Sequence, residues 1–590
     1  SSLIMAQCTT KHGICGKMTN TPIEQFTSAM DDLDDFFQMK LAHLTYGLSP
    51  AGLVQMYATW LSQLSLCPGR LASLAAFPSV KLAARLLQGC DDDNPACADD
   101  PRFSSENWKI WPWTMYLQTF HAMEEFWDLA TKDIPGLDPQ TERAVSFMAR
   151  QILDARAPSN FLLTNPDLLF ETVRSGGANL IQGAVNAAED FKRNINSQPP
   201  AGIENFKPGE HLAITKGKVV FKNDLMELIQ YDPLTPKVSK EPVLILPAWI
   251  MKYYILDLSP HNSLVKWLTE QGHQVFIVSW KNPTSEDRNL GMDDYVRDGA
   301  LAAVDAVSSI TNNAPIHLTG YCLGGTLAMI MAAYMAHEKD DRLKSLSLFA
   351  AQGDFTEAGE MMVFVTPSEV DYLEKMMKGQ GYLDTKQMAG AFQMLRSYDL
   401  IWSRMVKEYL MGQRGELFDI MAWNADATRM PYKMHSEYLE RLFLNNEFAN
   451  GRYSVLGKAI APENITVPVF AVGTEKDHVA PWKSVYKIHL MAGNEVTFVL
   501  TNGGHNAGIV SEPGHKYRHY HMASTKPGSV YEAPDEWLEN AKDFEGSWWV
   551  AWDKWLQNHM DKDTIPAPKK AGNTSYKPLY DAPGKYVHQA

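Results

Sequence analysis

Positive charge is in short supply: 54 Lys and Arg stand against 69 Asp and Glu, a formal net charge of −15. Nucleic acid and anionic lipid surfaces both call for a basic face, so nucleic acid is excluded as a partner. Long apolar runs are also missing. The longest, Pro242 to Ile250 and Leu327 to Ala336, fall well short of the roughly 20 residues that cross a bilayer, and no transmembrane segment is expected. The opening "SSLIMAQCTTKHGICG" lacks the basic start, apolar core and cleavage site of a secretory signal, and its missing initiator Met points to a trimmed start. Cysteine is scarce. Six in 590 residues, at 8, 15, 67, 90, 97 and 322, are too few for a disulfide framework and lack the CxxC spacing of zinc sites, which fits a reducing cytoplasm. Cys90 and Cys97 flank "DDDNPA" and read as a chance pair on a surface loop. There is no GxxxxGK loop and no cluster with metal-ligand spacing, so no bound cofactor and no metal is required.

What is abundant is core-forming material: 45% of the chain is hydrophobic and 11% aromatic, enough for more than one domain or one large elaborated one. Residues 1–200 read as mainly helical, with apolar positions at helical spacing in "IEQFTSAMDDLDDFFQMKLAHL", "GLVQMYATWLSQL" and "WTMYLQTFHAMEEFWDLATK". A Pro- and Gly-rich stretch around residue 200 marks a boundary. Beyond it, in 201–590, short β-rich runs alternate with helical patterns: "HLAITKGKVVFKND", "EPVLILPAWI", "HQVFIVSW", "APIHLTG", "SLSLFAAQ", "VPVFAVG" and "EVTFVLT". That alternation encodes an α/β fold, a mainly parallel sheet with helices on both faces. Between "SLSLFAAQ" and "VPVFAVG" lies a helical, Met- and aromatic-rich insertion, about 351–455, placed to form a cap over the carboxyl ends of the strands. Its Met361, Met362, Met376 and Met377 suit either a cap that opens or ordinary helix packing.

The chemistry centres on "GYCLGGT". Gly320-x-Cys322-x-Gly324, after a predicted strand and before a predicted helix, has the form of the α/β-hydrolase nucleophile elbow with sulfur in place of oxygen. The elbow holds the thiol at a helix N-terminus, where the helix dipole stabilises a thiolate. In this fold the acid and the histidine follow the nucleophile in that order. Asp477 in "TEKDHVAPW" and His505 in "GGHNAG" each follow a predicted strand, as orienting acid and general base. Asp354 in "AAQGDF" competes for the acid role, although a cap hinge or helix N-cap suits it better. His478, beside Asp477, reads as structural. An oxyanion hole is expected from the backbone N–H of Leu323 and a second donor near Ala248 and Trp249. Cysteine takes an acyl group from a thioester with little loss of transfer potential, which suits acyl transfer from a coenzyme A thioester to an alcohol, though cysteine also serves some hydrolases of this fold.

These residues resemble the polyhydroxyalkanoate synthases, in particular the single-subunit class I enzymes. The resemblance rests on "APSNFLLTNPDLL" (157–169), "SGGANLIQGAVNAAEDF" (175–191), "KYYILDLSPHNSLVKWLTEQGHQVFIVSWKNP" (252–283), "GYCLGGT", "FDIMAWNADATRMP" (418–431), "DHVAPW" (477–482), "EGSWWVAWDKWL" (545–556) and "DAPGKYV" (581–587). It spans roughly residues 100–590, and the first hundred residues match nothing recognised. It implies an α/β-hydrolase catalytic domain that polymerises (R)-3-hydroxyacyl-CoA, 3-hydroxybutyryl-CoA above all, with release of CoA. The polyester is then carried as a thioester on Cys322, with His505 as base and Asp477 as its acid. It also implies a homodimer in the cytoplasm on the surface of polyester granules, with the CoA thioester as substrate and no separate cofactor. "PAWIMKYYI" stands where the family has "PPxINKYYI", and "HNAGIVSEP" where "HIAGIINPP" is commoner.

Two other functions fit part of the sequence. A cysteine thioesterase or ester hydrolase of the same fold would release free hydroxy acid instead of polymer. A granule-coating scaffold would keep the fold without turnover. Trp548, Trp549, Trp552 and Trp555, at near-helical spacing, suit packing on the catalytic domain or contact with a granule or partner.

Overall fold

The computed structural model describes residues 49–88, 100–196, 198–395 and 397–590. Cys8, Cys15, Cys90 and Cys97, and the helix expected over 23–44, lie outside the described residues. The described residues before about 200 are mainly helical. Its longer helices are α1 (Pro50–Ser65), α2 (Trp113–Thr131), α3 (Pro139–Ala155) and α4 (Ala178–Ile195). Local capping explains where two of them start. The Ser49 side chain accepts from the Gly52 N–H and that of Asp138 from Thr141, each followed by a proline whose missing N–H costs nothing there.

From residue 217 the chain builds one eleven-stranded sheet. Its strands are β1 (Gly217–Lys222), β2 (Met226–Tyr231), β3 (Pro242–Leu246), β4 (Gln274–Trp280), β5 (Ile316–Tyr321) and β6 (Leu343–Phe349), then β7 (Val469–Thr474), β8 (Val496–Thr501), β9 (His519–Thr525), β10 (Lys542–Glu545) and β11 (Tyr580–Asp581). Their order is β10-β9-β8-β7-β6-β5-β3-β4-β2-β1-β11. The run from β4 to β8 is parallel, and both margins are antiparallel. Strands β3, β4 and β5 are buried at every position, which is why apolar residues dominate them: helices cover both faces. The strands that the composition had not suggested, β2 and β9 to β11, belong to the antiparallel part. In β9 to β11, partly exposed residues such as those of "HYHMAST" and "KDFE" hide the strand signal, whereas β2, "MELIQY", is buried throughout and its Glu227 and Gln230 break the apolar run.

The insertion between β6 and β7 is helical, as expected, and adds two small strand pairs, Tyr382–Leu383 with Met430–Pro431 and Tyr453–Val455 with Lys458–Ile460. Its longest α-helix is α5 (Pro367–Gln380). Met376 and Met377 on this helix are fully buried, so they act as core filling. The helical N-terminal part docks against this insertion. Asn179 and Asn186 of α4 donate side-chain N–H groups to the Leu410 and Glu408 carbonyls at 2.9 Å each, and Asp190 pairs with Arg414 at 2.8 Å. Near the C-terminus, α6 (Trp548–His559) lays Trp548, Trp549, Trp552 and Trp555 into the core under the sheet. Their packing role holds.

Candidate active site

Helix Leu323–His337 follows β5 after one residue, Cys322. For β5 to turn this sharply, Cys322 adopts φ +53°, ψ −123°, in the positive-φ region that a non-glycine residue occupies only where its surroundings enforce it. Those surroundings are visible. The Cys322 N–H donates to the Phe349 carbonyl at 2.9 Å, and the Cys322 carbonyl accepts from the Gly325 N–H at 2.9 Å. The flanking glycines are required by close approach. A Cβ on Gly320 would stand 2.4 Å from Gly325 Cα, and one on Gly324 2.0 Å from the Leu246 carbonyl oxygen. The thiol is thereby held at the start of a 15-residue helix, half-buried between the two apolar clusters on either side of the sheet.

Asp477 lies in the turn after β7, and His505 in the turn after β8, both at the carboxyl ends of parallel strands. His505 Nδ1 and Asp477 Oδ2 are 2.7 Å apart. The carboxylate is fixed from every side, accepting from Thr474 Oγ1 at 3.0 Å and from the Val479 and Ala480 N–H groups at 2.9 and 2.8 Å. Burial alone would raise the pKa of Asp477. The His505 charge, with which it bonds, and those two backbone donors outweigh burial and hold it below the usual carboxyl value. On its other side His505 neighbours the Cys322 thiol, near enough for the sulfur's charge to act on the ring. Burial works against the imidazolium, yet the neighbouring Asp477 and Cys322 charges prevail and raise the His505 pKa well above its ordinary value. Asp477 thus bonds His505, and His505 neighbours Cys322, the order of acid, base and nucleophile that moves a proton off a nucleophile and stores it on a ring.

The other sequence candidates fall elsewhere. Asp354 spends its carboxylate on the Thr356 N–H at 2.9 Å, Asn446 Nδ2 at 3.3 Å and Lys487 Nζ at 3.6 Å, a hinge role where the insertion leaves β6. His478 turns outward, its Nδ1 3.2 Å from Glu360 Oε1. Leu323 opens its helix, so its N–H belongs to the first turn, which lacks intrahelical acceptors. Ala248 and Trp249 are buried in the loop after β3, against which Gly324 packs. The insertion grips that loop. Thr428 donates its N–H to the Ile250 carbonyl at 3.0 Å and its hydroxyl to the Trp249 carbonyl at 2.5 Å, and Trp423 Nε1 donates to the Lys252 carbonyl at 2.7 Å.

Sequence reasoning passed over several residues here. Thr474 and Thr428 leave no signal in a sequence, since a threonine near a strand end is unremarkable until its partner is placed. Tyr438, from the insertion, lies near enough to Cys322 for the sulfur's charge to add to burial in raising the phenol pKa. The one cluster of metal-ligand type among the described residues, Asp100 with His121 and Glu124, lies in the N-terminal helices, and the Arg102 guanidinium occupies it, 2.6 Å from Asp100 and 2.7 Å from Glu124.

The site has relatives. The "Poly(3-hydroxyalkanoate) polymerase subunit PhaC" of Rhizobium meliloti is 38% identical over 492 residues, 83% of this chain and 79% of its own. The chain belongs to the poly(3-hydroxyalkanoate) polymerase family. Members from Methylorubrum extorquens (38% identical, 83% of this chain and 80% of its own) and Cupriavidus necator (34%, 83% and 83%) agree. Residues 99–268 match the family model described as Poly-beta-hydroxybutyrate polymerase (PhaC) N-terminus, and 241–512 the alpha/beta hydrolase fold. Residues 28–70 match Poly-beta-hydroxybutyrate polymerase N terminal. This last match corrects the reading that the first hundred residues match nothing recognised: the similarity starts well before residue 100, on sequence too plain in composition to carry a visible motif. As a member of this polymerase family, the chain is an enzyme of the acyltransferase class.

Proposed function

We propose that this enzyme polymerises (R)-3-hydroxyacyl-CoA, with 3-hydroxybutyryl-CoA as the principal monomer, through a covalent thioester on Cys322. The observation that carries the reading is the 2.7 Å contact of His505 Nδ1 with Asp477 Oδ2, with the ring of His505 beside the Cys322 thiol at the nucleophile elbow. His505 takes the thiol proton, and Sγ attacks the thioester carbonyl. The Leu323 N–H and a donor from the Ala248 to Trp249 loop stabilise the oxyanion. The carbon–sulfur bond to CoA then breaks, and the departing CoA thiolate takes the proton from His505. In elongation His505 takes the proton of an incoming 3-hydroxyl as its oxygen attacks the Cys322 thioester, forming an ester and freeing Sγ. Attack of Sγ on the extended CoA thioester returns the chain to Cys322 and releases CoA. Asp477 keeps the ring oriented and balances its charge throughout. The polyester product is water-insoluble, so the working enzyme sits in the cytoplasm on a granule surface, as a homodimer. The CoA thioester is a substrate, and no further cofactor takes part.

The test is CoA release from (R)-3-hydroxybutyryl-CoA, with the product recovered. Cys322→Ala is expected to abolish release while the thermal midpoint stays near that of the parent. Residual turnover at the parental rate refutes the covalent route, and free hydroxy acid in place of polymer makes the enzyme a thioesterase.

A further inference from the structure

The loop that carries His505 is anchored firmly at its back. Arg518 donates to the Ala507 carbonyl at 2.5 Å, Trp548 Nε1 to the Gly508 carbonyl and Trp549 Nε1 to the Ile509 carbonyl at 2.9 Å each, and Ser547 Oγ to the Ser511 carbonyl. All four act after His505. On the side facing the nucleophile a different contact stands out. Tyr321, the residue immediately before Cys322, donates its hydroxyl to Oδ1 of Asn506, the residue immediately after His505, at 2.5 Å. The Tyr321 ring also lies against the His505 ring, centroids 5.8 Å apart at 34°. Tyr321 is buried and ends a strand that is buried throughout, so its hydroxyl is held by the sheet itself.

We infer that Tyr321 and Asn506 form a positioning pair that sets the reach of His505 toward Cys322 by tying the nucleophile elbow to the base loop. The inference rests on the thiol chemistry proposed above. A buried tyrosine hydroxyl needs some partner in any protein. Here the bond joins the two sequence neighbours of the reacting groups, and the back of the loop already has anchors of its own. Stability therefore does not require this bond, whereas the distance between Sγ and the imidazole depends on it. Tyr321 meets His505 through its ring and Asn506 adjoins it in the chain, so each acts by placing the base.

The full-length enzyme carrying Tyr321→Phe, Asn506→Ala or both is compared with the parent in two ways: by CoA-release kinetics, and by the rate at which iodoacetamide alkylates Cys322 between about pH 6 and 9. Asn506 is half-buried, so its variant reports even if Tyr321→Phe fails to fold. Each single variant is expected to lose about three- to tenfold in kcat, the worth of one hydrogen bond, with little change in KM or thermal midpoint. The double variant should lose no more than the poorer single, and the alkylation profile should move to higher pH in all three. Parental kcat and alkylation in both single variants, or losses that multiply in the double, overturn the pairing. An alkylation rate that His505→Ala leaves unchanged overturns the thiol–imidazole reading, and the positioning pair falls with it.

Discussion

At the scale of single residues, the site depends on backbone geometry as much as on the reacting side chains. Cys322 holds a conformation that few residues adopt, and Gly324 lets the loop after β3 come close. Gly324→Ala places a methyl 2.0 Å from the Leu246 carbonyl oxygen, a backbone atom that cannot swing aside, so the loop with Ala248 and Trp249 must withdraw. This variant is expected to lose CoA release at least a hundredfold, on the scale of losing one oxyanion donor, while circular dichroism still reports the folded sheet. Asp477→Asn tests the other end of the chain. Asp477 is the first charge that keeps the His505 proton on against burial, so its loss lowers the His505 pKa toward and below the ordinary imidazole value. The expected result is a fall in kcat of about a thousandfold or more, with the alkaline limb of the pH–rate profile moved to lower pH.

At the scale of elements, helix α4 presents an unusual face to its partner. Gly183 lies so close to the segment Val406–Leu410 that an added Cβ would meet the Tyr409 carbonyl oxygen at 1.9 Å, and Asn179 and Asn186 hook backbone carbonyls on either side. Gly183→Ala is expected to destabilise the protein by about 1–3 kcal/mol, measured by chemical denaturation, and to speed proteolysis within the insertion. Helix α6 works differently. Its tryptophans fill the core and donate to the carbonyls of the base loop, so one element serves both packing and catalytic geometry.

For the molecule as a whole, the contact between its helical start and the insertion responds to pH. Glu369 of α5 accepts the Ser49 N–H with both oxygens, at 3.0 and 2.8 Å. Burial pushes its pKa up to about 7, against the pull of that backbone bond. Below the ordinary carboxyl pKa both folded and unfolded chains hold this proton and nothing is lost. Between there and about pH 7 only the folded chain keeps it, so stability falls as pH rises through that window, by on the order of 3 kcal/mol. His435 acts in the opposite sense: burial lowers its pKa to about 4, so its share of stability is intact above the ordinary imidazole pKa and is lost as pH falls toward 4. The thermal midpoint of Glu369→Gln is expected to rise relative to the parent as pH increases from about 5 to about 8. A constant difference across that range would show that Glu369 does not titrate between the two states.

Much of this protein could be read from the order of its residues. The apolar strands β3 to β8 carry their own signal because a parallel sheet is buried on both faces. The elbow "GYCLGGT" and the order of Cys322, Asp477 and His505 follow from the requirement that a nucleophile and its partners stand at successive strand ends. Of the antiparallel margin strands, β1 was legible, β9 to β11 escaped notice because half-exposed residues blur their pattern, and β2 because buried Glu227 and Gln230 interrupt its apolar run. Only the tertiary structure placed Asp477, and not Asp354, beside His505, since both follow strands and sequence alone gives no distance between them. It also decided that four tryptophans face inward, and that Tyr321 meets Asn506 across 185 positions of sequence. Such pairings arise from how the sheet brings remote turns to one edge, and no local pattern of residues encodes a distance of that kind.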